Sequence, residues 1–339
     1  MTTQSIVGLA DLPAPPEGKT GWPWTEEGMT SMSESPPPGG WPRITVVTPS
    51  FNQADFLEET LRSVLLQGYP NLEYIVIDGG SSDASAEILQ RYEQQLSYWC
   101  SEPDRGQTHA INKGFARSTG DVKAWINSDD LYHPGALFTA ARELAASDHD
   151  LLFGRMDKVD AADNGRVVKI SSPREGVPFH RFPILHYGRG TEFHFFQPAM
   201  FWRRSLWEAA GQLDEAYEYG MDIEWCHRAL AARASWGLTD QVLARFTLHP
   251  ESKTVSLRYH QLKDEVRLYL DLARRPEFRS VQCLLSALRP ATGALYLKAK
   301  EADTDGRRAA AAMYTTAART MKAATTWIPG LKGKRALGS

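Results

Sequence analysis

The stretch Ala124-Trp125-Ile126-Asn127-Ser128-Asp129-Asp130 decides the fold class of this chain. Its first three residues predict a short buried strand, so the two carboxylates come directly after the strand's C-terminal end. In an open α/β sheet, that end is where ligands bind. Paired carboxylates there suit a hard divalent cation, and such a cation commonly bridges nucleotide phosphates. The alternative is structural, because Ser-Asp-Asp also suits a turn followed by a helix N-cap.

The residues before this stretch alternate between strand and helix patterns. Strands are predicted at 44–47, 74–77 and 96–100, and helices at 55–66, 84–92 and 108–116. Strands separated by helices of this length indicate βαβ units. We therefore predict an α/β fold with a mainly parallel sheet flanked by helices.

The pattern changes after the carboxylate pair. Asp163-Asn164-Gly165 lies between two strand-like segments and predicts a hairpin, because Asn-Gly tolerates the positive φ angles of a tight turn. Further strands are predicted at 199–202 and 242–247, and helices at 222–233, 257–272 and 307–324. The last two helices would form a C-terminal helical extension of the α/β domain.

The two ends of the chain differ from its centre in amino-acid composition and in predicted secondary structure. Residues 1–40 carry seven prolines, which predicts a mostly unstructured leader. Trp22 and Trp24 are unusual in a free linker, so docking of this segment onto the body is the alternative. We divide the chain into this leader, an α/β domain at 41–254, and a helical extension with a basic tail at 255–339.

Composition and charge exclude several classes of protein. Cys100, Cys226 and Cys283 show no CxxC spacing, which argues against a disulfide framework or a zinc site and fits a reducing cytosol. No apolar run approaches the roughly 18 to 20 residues needed to cross a bilayer, and no secretory signal is recognisable. Residues 289–339 carry net charge +7 in a chain of net charge −3, so an acidic body bears a basic tail.

Three further polar loops follow predicted strands, at 48–52, 78–83 and 102–106. The first, Thr48-Pro49-Ser50-Phe51-Asn52, suits contact with a nucleotide, although it also suits a helix start. In the second, Gly79 and Gly80 permit close backbone approach, and Asp78 would accept a hydrogen bond from a base N–H or a ribose hydroxyl. Adjacent glycines with no third glycine are not a GxGxxG fingerprint. The third, Glu102-Pro103-Asp104-Arg105-Gly106, places a carboxylate and a guanidinium at the same sheet edge.

In combination, these motifs resemble those of family 2 glycosyltransferases, which have the Rossmann-like GT-A fold. The resemblance includes Asn112-Lys113-Gly114, resumes at 211–215 and 221–225, and covers residues 44–254. It implies transfer of a sugar from a nucleotide sugar, expected to be a UDP-sugar, to a hydroxyl acceptor with inversion. Polysaccharide or glycolipid assembly in the cytoplasm is the usual setting of such enzymes.

The resemblance also implies roles for the residues of the strand-end loops. The nucleotide sugar would be held by Pro49, Ser50, Phe51, Asp78, Asp104, Arg105, Asp129 and Gln197. Asp130, with Asp129, would bind Mg²⁺ or Mn²⁺ on the diphosphate. Two positions depart from the family pattern. Asn127 replaces the first carboxylate of the DxD-type motif, and Gly79 stands where many members carry a second Asp.

Two later residues complete the implied site. Asp222 matches the general base of the family, which would take the proton of the acceptor hydroxyl, although Met221 replaces its acidic neighbour. The alternative is that Asp222 only caps a helix. His249 matches a histidine that ligates the metal in some GT-A enzymes, and neutral imidazole is a reasonable third ligand. A structural histidine at a strand end is the alternative.

The expected partners follow from this interpretation. They are a nucleotide-sugar donor and a saccharide or lipid-linked saccharide acceptor, with no nucleic acid. The basic tail suggests peripheral contact with an anionic membrane at the inner face of the plasma membrane. Two other interpretations stay open. A nucleotidyltransferase would want a Gly-rich, basic loop at 48–52, which has neither Gly nor Lys. A catalytically silent GT-A domain could act as a binding module or scaffold.

Overall fold

The computed structural model describes residues 6–28, 35–160, 166–171, 197–250, 258–274, 281–305 and 307–327. The chain divides into two compact units. The first comprises Met1–Pro173, Phe195–Glu215 and Arg228–His249. The second comprises Arg174–His194, Ala216–His227 and Pro250–Ser339. The predicted boundary between residues 254 and 255 lies outside the described residues.

The first half of the sheet is parallel and belongs to the first unit. Its strands are β1 (Ile44–Ser50), β2 (Leu72–Asp78), β3 (Tyr98–Ser101) and β4 (Val122–Trp125), in the spatial order β3-β2-β1-β4. Every residue of β1 is buried, as expected for a central strand covered on both faces. The register pairs Ser50 with Asp78, and Asp78 with Ser101. Three strands therefore end at the same edge of the sheet.

The connecting helices are α1 (Ala54–Leu65), α2 (Ser85–Arg91) and α3 (Gln107–Arg117). α1 buries Leu57, Leu61, Val64 and Leu65 at helical spacing, which explains why the sequence pattern predicted it. α3 packs so closely on β1 that a Cβ at Gly114 would lie 2.5 Å from Val47. The predicted βαβ order is confirmed.

The second half of the sheet is mixed. It contains β5 (Leu131–Tyr132), β6 (Leu151–Asp160), β7 (Arg166–Ser171), β8 (Met200–Arg203) and β9 (Trp236–Leu248), together with helices α4 (Ala136–Ala145) and α5 (Arg204–Ala210). β8 runs antiparallel to both β4 and β6, and β5 runs antiparallel to β9. The predicted α/β class is confirmed. Most paired residues of the described sheet are parallel, because β6 also pairs in parallel with β9 along nearly its whole length, whereas the antiparallel pairings of β5 and β8 were not predicted. Strand patterns predict where strands lie and carry no information on their direction after long connections.

The predicted hairpin forms between β6 and β7, which pair antiparallel with Val159 opposite Val167. Its Asn164-Gly165 turn lies outside the described residues. Helix α6 (Met221–Ala231) begins in the second unit and ends in the first.

Helices make up most of the second unit. They are α7 (Arg258–Arg274), α8 (Val281–Thr304) and α9 (Arg308–Trp327), and α8 packs against both of the others. The Asp264 carboxylate accepts hydrogen bonds from the backbone N–H groups of Glu218 and Tyr219 at 3.1 and 3.0 Å. The two helices predicted at 257–272 and 307–324 correspond to α7 and α9, and α8 between them was not predicted. Within the described ranges, no helix has the length and apolar character needed to span a bilayer.

The leader differs from our prediction, because residues 6–28 belong to the first unit and pack against its hydrophobic core. Trp24 is 5% exposed and Leu12 is 8% exposed. The Trp22 indole N–H donates to the Tyr132 carbonyl oxygen at 2.9 Å. The prolines that suggested disorder lower the entropy lost on ordering, and the tryptophans supply apolar surface to bury.

A buried guanidinium holds this segment in place. Arg62, which is 1% exposed, donates to the carbonyl oxygens of Pro13, Pro23 and Trp24 at 2.9, 3.0 and 2.9 Å. It also donates to the Tyr92 hydroxyl at 3.1 Å. An arginine in α1 thus satisfies three carbonyl groups of the leader that would otherwise lack donors.

We expect Arg62→Met to lower the free energy of unfolding by about 3 kcal/mol, because three carbonyl oxygens would lose their charged donor. Urea unfolding measures this change, and limited proteolysis should show faster cleavage within residues 13–28. Arg117→Met is the matched control, since Arg117 is exposed and lies over the Tyr98 ring. Unchanged stability and unchanged protection of the leader in Arg62→Met would contradict this account.

Candidate active site

Backbone hydrogen bonds bring the predicted loops together beyond the strand ends. Gly79 N–H donates to the Ser50 carbonyl at 2.8 Å, and Glu102 N–H donates to the Asp78 carbonyl at 3.1 Å. On the other side of β1, Ile126 N–H donates to the Val47 carbonyl at 3.0 Å. The four loops predicted to carry function therefore share one edge of the sheet.

The Asp78 carboxylate organises the loop that follows β2. Its Oδ2 accepts from Gly80 N–H, Ser81 N–H and the Ser101 hydroxyl at 3.2, 2.8 and 2.7 Å. Its Oδ1 accepts from the Ser81 hydroxyl at 2.6 Å. Asp78 is fully buried. Both oxygens are thus committed within the protein, although the sequence predicted that they would meet the nucleoside.

The loop after β1 presents a hydroxyl group and an aromatic ring that are free to contact a ligand. Among the described residues, the Ser50 hydroxyl has no hydrogen-bond partner, although it is buried. Phe51 is 59% exposed. Asn52 takes a positive φ of 52° and accepts from Ser82 N–H at 2.9 Å, which fixes the loop next to them. A ligand at the end of β1, beside Pro49, would meet a hydroxyl and an aromatic face.

The loop after β3 carries Asp104 and Arg105. Asp104 Oδ1 accepts from Gly106 N–H at 2.7 Å. The Arg105 guanidinium holds the Glu215 carboxylate with two hydrogen bonds of 2.9 and 3.0 Å. An Arg fork that grips a carboxylate in this way also matches a phosphate. Both side chains of the pair are partly exposed, so a ligand can exchange with Glu215.

The Asp130 carboxylate is fully buried at the end of β4. It accepts from the Asn127 amide and from Thr247 N–H, both at 3.2 Å. Burial raises the pKa of Asp130 well above its usual range, and the neighbouring charge of Asp129 raises it further. Asn127 departs from the family pattern, yet its amide gives Asp130 a donor that a carboxylate would not provide.

His249 lies beside this pair, at the end of β9. Its Nε2 is 3.0 Å from Asp129 Oδ2. Its ring centroid is 4.3 Å from that of Phe56, and the side chain is almost completely buried. The structure therefore places His249 against Asp129, the residue before Asp130, and the metal-binding role of the three residues stays a prediction. Gln197 is used differently, because its amide donates to the Trp125 carbonyl at 2.6 Å.

The donor set of this cluster fits a hard divalent cation. Asp129 and Asp130 offer oxygen ligands, His249 offers an imidazole nitrogen, and Mg²⁺ or Mn²⁺ accepts such ligands. Within the described ranges, no group of three His, Cys, Asp or Glu side chains is placed so that it could hold a metal ion by itself. One or two carboxylates with substrate phosphates commonly hold Mg²⁺. The residues therefore suit a cation that arrives with a diphosphate.

Asp222 lies in the second unit, as the second residue of α6. It is half-buried, and its Oδ1 accepts from Ile223 N–H at 2.8 Å. Burial raises the pKa of this carboxyl, and the hydrogen bond from Ile223 opposes the shift. A raised pKa improves a carboxylate as a proton acceptor. Glu224, two residues further on, is 1% exposed.

Several contributing residues were not found from the sequence. Thr247 acts through its backbone N–H, which no side-chain pattern reveals. Gln107 donates to the Asn127 Oδ1 at 2.7 Å and orients it. Glu215 lies within a segment that resembles the family, but its pairing with Arg105 has no local signal. The only sequence signal for these three residues was indirect: the polar motifs cluster at strand ends, which predicts a site there.

Comparisons with known proteins agree with this geometry. Residues 45–209 match the family described as Glycosyl transferase family 2. The chain is 32% identical over 190 residues to an uncharacterised glycosyltransferase of Mycobacterium tuberculosis, an alignment that covers 56% of this chain and 69% of the relative.

Two solved structures share the fold. S. aureus TarS (residues 1–349), in complex with UDP-GlcNAc, has a TM-score of 0.58 at 19% identity, covering 74% of this chain and 73% of TarS. The mannosyltransferase PcManGT from Pyrobaculum calidifontis, in complex with GDP-Man and Mn²⁺, has a TM-score of 0.55 at 20% identity, covering 89% and 87%. The predicted GT-A fold is confirmed.

We expect Asp130→Asn to stay folded and to lose Mn²⁺-dependent binding of UDP, because the amide keeps the shape but not the charge. In EDTA at pH 7.5 its melting temperature should equal or exceed that of the unaltered protein. A carboxyl whose pKa is raised by folding destabilises the folded state as pH rises above the usual Asp value of about 4. The advantage of the amide should therefore shrink at pH 5.

Calorimetric titration with UDP and Mn²⁺, together with thermal melts at the two pH values, measures both effects. Asp240→Asn is the matched control, since Asp240 is exposed. If Asp130→Asn keeps Mn²⁺-dependent affinity for UDP, Asp130 is not a metal ligand.

Proposed function

Because this chain belongs to glycosyltransferase family 2, we propose that it transfers a sugar from a UDP-sugar to a hydroxyl acceptor, with inversion at the anomeric carbon. The observation that carries the proposal is the fully buried Asp130 next to the partly exposed Asp129, which contacts His249. This pair lies at the edge where the loops after β1, β2 and β3 converge.

The choice of donor is supported by chemistry that the structural neighbours share. TarS was crystallised with UDP-GlcNAc, and PcManGT with GDP-Man and Mn²⁺. Both ligands contain a nucleoside diphosphate, and the carboxylates and imidazole described above suit a cation that accompanies one. UDP is our proposal because the family resemblance of the strand-end motifs implies a UDP-sugar, and TarS was crystallised with one.

In this proposal, the residues at the strand ends bind and orient the donor. Ser50 and Phe51 contact the nucleoside at the end of β1. Arg105 releases Glu215 and grips the diphosphate with the same two donor groups. Asp129, Asp130 and His249 hold the divalent cation, whose chemistry is to stabilise the charge that develops on the leaving diphosphate.

Asp222 is the proposed general base. The acceptor oxygen forms its bond to the anomeric carbon as the bond to UDP breaks, and the hydroxyl proton passes to the Asp222 carboxylate. Two observations support the assignment. Asp222 occupies the position implied by the family resemblance, and burial raises its pKa towards that of an effective base.

The acceptor is proposed to be a saccharide or lipid-linked saccharide at the inner face of the plasma membrane. α9 exposes Arg308, Arg319 and Lys322, and Met313 is 60% exposed on the same helix. Anionic lipids attract each Lys or Arg near the surface by about 1 kcal/mol. A solvated helix without a membrane role is the competing interpretation. The basic residues Lys332, Lys334 and Arg335 lie outside the described residues.

A UDP-release assay with a panel of nucleotide sugars, with and without Mn²⁺, tests the proposed activity. Metal-dependent release of UDP in the presence of acceptor supports it. Binding of nucleotide sugar without release would instead indicate a silent scaffold domain, and release of pyrophosphate would indicate a nucleotidyltransferase.

We expect Asp222→Asn to lower kcat by at least about 100-fold and to leave UDP affinity unchanged, because only proton removal in the transition state is lost. Steady-state kinetics and calorimetry with UDP separate the two effects. The exposed Asp240→Asn serves again as the control. A near-normal rate would move the role of base from Asp222 to another group, with Glu224 the first to test.

Replacement of Arg308, Arg319 and Lys322 by Gln should weaken binding to vesicles that contain phosphatidylserine, because the screened attraction of three cations is removed. Cosedimentation at low and at physiological salt measures the loss, and affinity for UDP should not change. The charge-matched control replaces the exposed Lys19, Arg117 and Arg233. If the unaltered protein ignores these vesicles at low salt, α9 is not a membrane element.

A further inference from the structure

The loop after β3 explains why residue 79 is a glycine. Its φ lies outside the left-handed region, so an alanine would meet no backbone strain there. A Cβ at Gly79 would, however, lie 3.0 Å from Asp104 Oδ2 and 3.2 Å from Asp104 Cγ and Oδ1. The carboxylate of Asp104 therefore occupies the space directly over the residue that follows Asp78.

The protein holds Asp104 in that position by two further contacts. Its Oδ1 accepts from Gly106 N–H at 2.7 Å, and Gly106 has a φ of 111° that favours glycine. Gly80 approaches Pro103 so closely that a Cβ would lie 2.9 Å from the Pro103 nitrogen. The loops after β2 and β3 are thus packed against each other with the carboxylate fixed between them.

The carboxylates of Asp78 and Asp104 differ in how many hydrogen bonds they already accept from the protein. Asp78 accepts four hydrogen bonds from the protein and is fully buried. Asp104 is only half-buried, and among the described residues nothing donates to its Oδ2. The buried Ser50 hydroxyl also has no hydrogen-bond partner among the described residues. Ser50 is next to Gly79, because its carbonyl oxygen accepts from Gly79 N–H.

An ionised carboxylate oxygen accepts hydrogen bonds and donates none. It repels a diphosphate and pairs well with an N–H group. The imide N3–H of uracil meets that requirement, as does the lactam N1–H of guanine, whereas cytosine and adenine present a bare ring nitrogen at the equivalent position. The exposed Phe51 ring at the end of β1 adds an aromatic face for a base.

We propose that Asp104, and not Asp78, reads the nucleobase of the donor by accepting its imide N–H, and that Gly79 is small because it makes room for this carboxylate. Asp78 is a positioning residue, which shapes the loop that Asp104 packs against. The inference rests on the proposed function, since it concerns the nucleotide of the same donor. It adds a preference for bases with a ring N–H donor at this position, such as uracil, over cytosine and adenine.

The test measures the affinity of the full chain for UDP, N3-methyl-UDP, 2′-deoxy-UDP and CDP in the presence of Mn²⁺. The unaltered protein should bind N3-methyl-UDP about 10- to 100-fold more weakly than UDP, the usual loss for one hydrogen bond to a charged group. Asp104→Ala should lose the same factor for UDP and should no longer distinguish N3-methyl-UDP from UDP.

Two further variants keep the test decisive if Asp104→Ala folds poorly. Asp104→Asn keeps an acceptor for Gly106 N–H but offers an amide N–H, so the ratio of UDP to CDP affinity should fall at least about 10-fold. Gly79→Ala should weaken UDP binding in the unaltered background and have no effect alongside Asp104→Gly. Asp240→Ala is the control in each comparison.

The outcomes separate this inference from the proposed function. If the unaltered protein binds none of the nucleotides, both are overturned. If it binds UDP and Asp104→Ala still rejects N3-methyl-UDP, only the role of Asp104 is wrong. If Asp104→Ala instead removes the discrimination between UDP and 2′-deoxy-UDP, the carboxylate reads the ribose, and the assignment to the base is wrong.

Discussion

A carboxylate that is completely removed from solvent must find hydrogen-bond donors or a cation, and Asp130 organises the site around that requirement. The amide of Asn127 and the backbone N–H of Thr247 meet it in part, which ties the end of β4 to β9. The Asp130 carbonyl in turn accepts from Thr60 on α1 at 2.9 Å. Elements that are far apart in sequence thus meet at one residue, and burial raises the pKa of its carboxyl well above the usual range.

The parallel register places the remaining groups within reach of this point. Ser50, Asp78 and Ser101 lie side by side because β1, β2 and β3 pair without offset at their ends. The loops can therefore divide the work. Asp78 uses its charge to hold a turn, whereas Asp104 accepts a single hydrogen bond from the described residues, at Oδ1. A charged residue at a binding edge is as often support as contact, and its hydrogen-bond partners distinguish the two.

The sequence predicted those parts of the fold and site that depend on local order. Alternating strands and helices predicted the βαβ units, and the position of Asp129 and Asp130 after a strand predicted the edge at which the site lies. It did not predict the antiparallel β8, because direction after a long connection has no local signature. The sequence also did not predict the pairing of Arg105 with Glu215, because the two residues are 110 positions apart and their contact has no local signature. The packing of Asp104 over Gly79 depends on the spacing of two loops in three dimensions.

The contacts of Arg62 bear on where the catalytic unit begins. The segment that matches the family starts at residue 45, and a fragment cut there would look complete by sequence. Such a fragment would carry a buried cation whose three carbonyl partners had been deleted, and it would expose the surface that Leu12 and Trp24 cover. A protein expressed from residue 45 onward would therefore be prone to aggregate, and assays on it would not report on the intact domain. The smallest unit that folds as described includes residues 6–28, although nothing in the family motifs indicates that they belong to it.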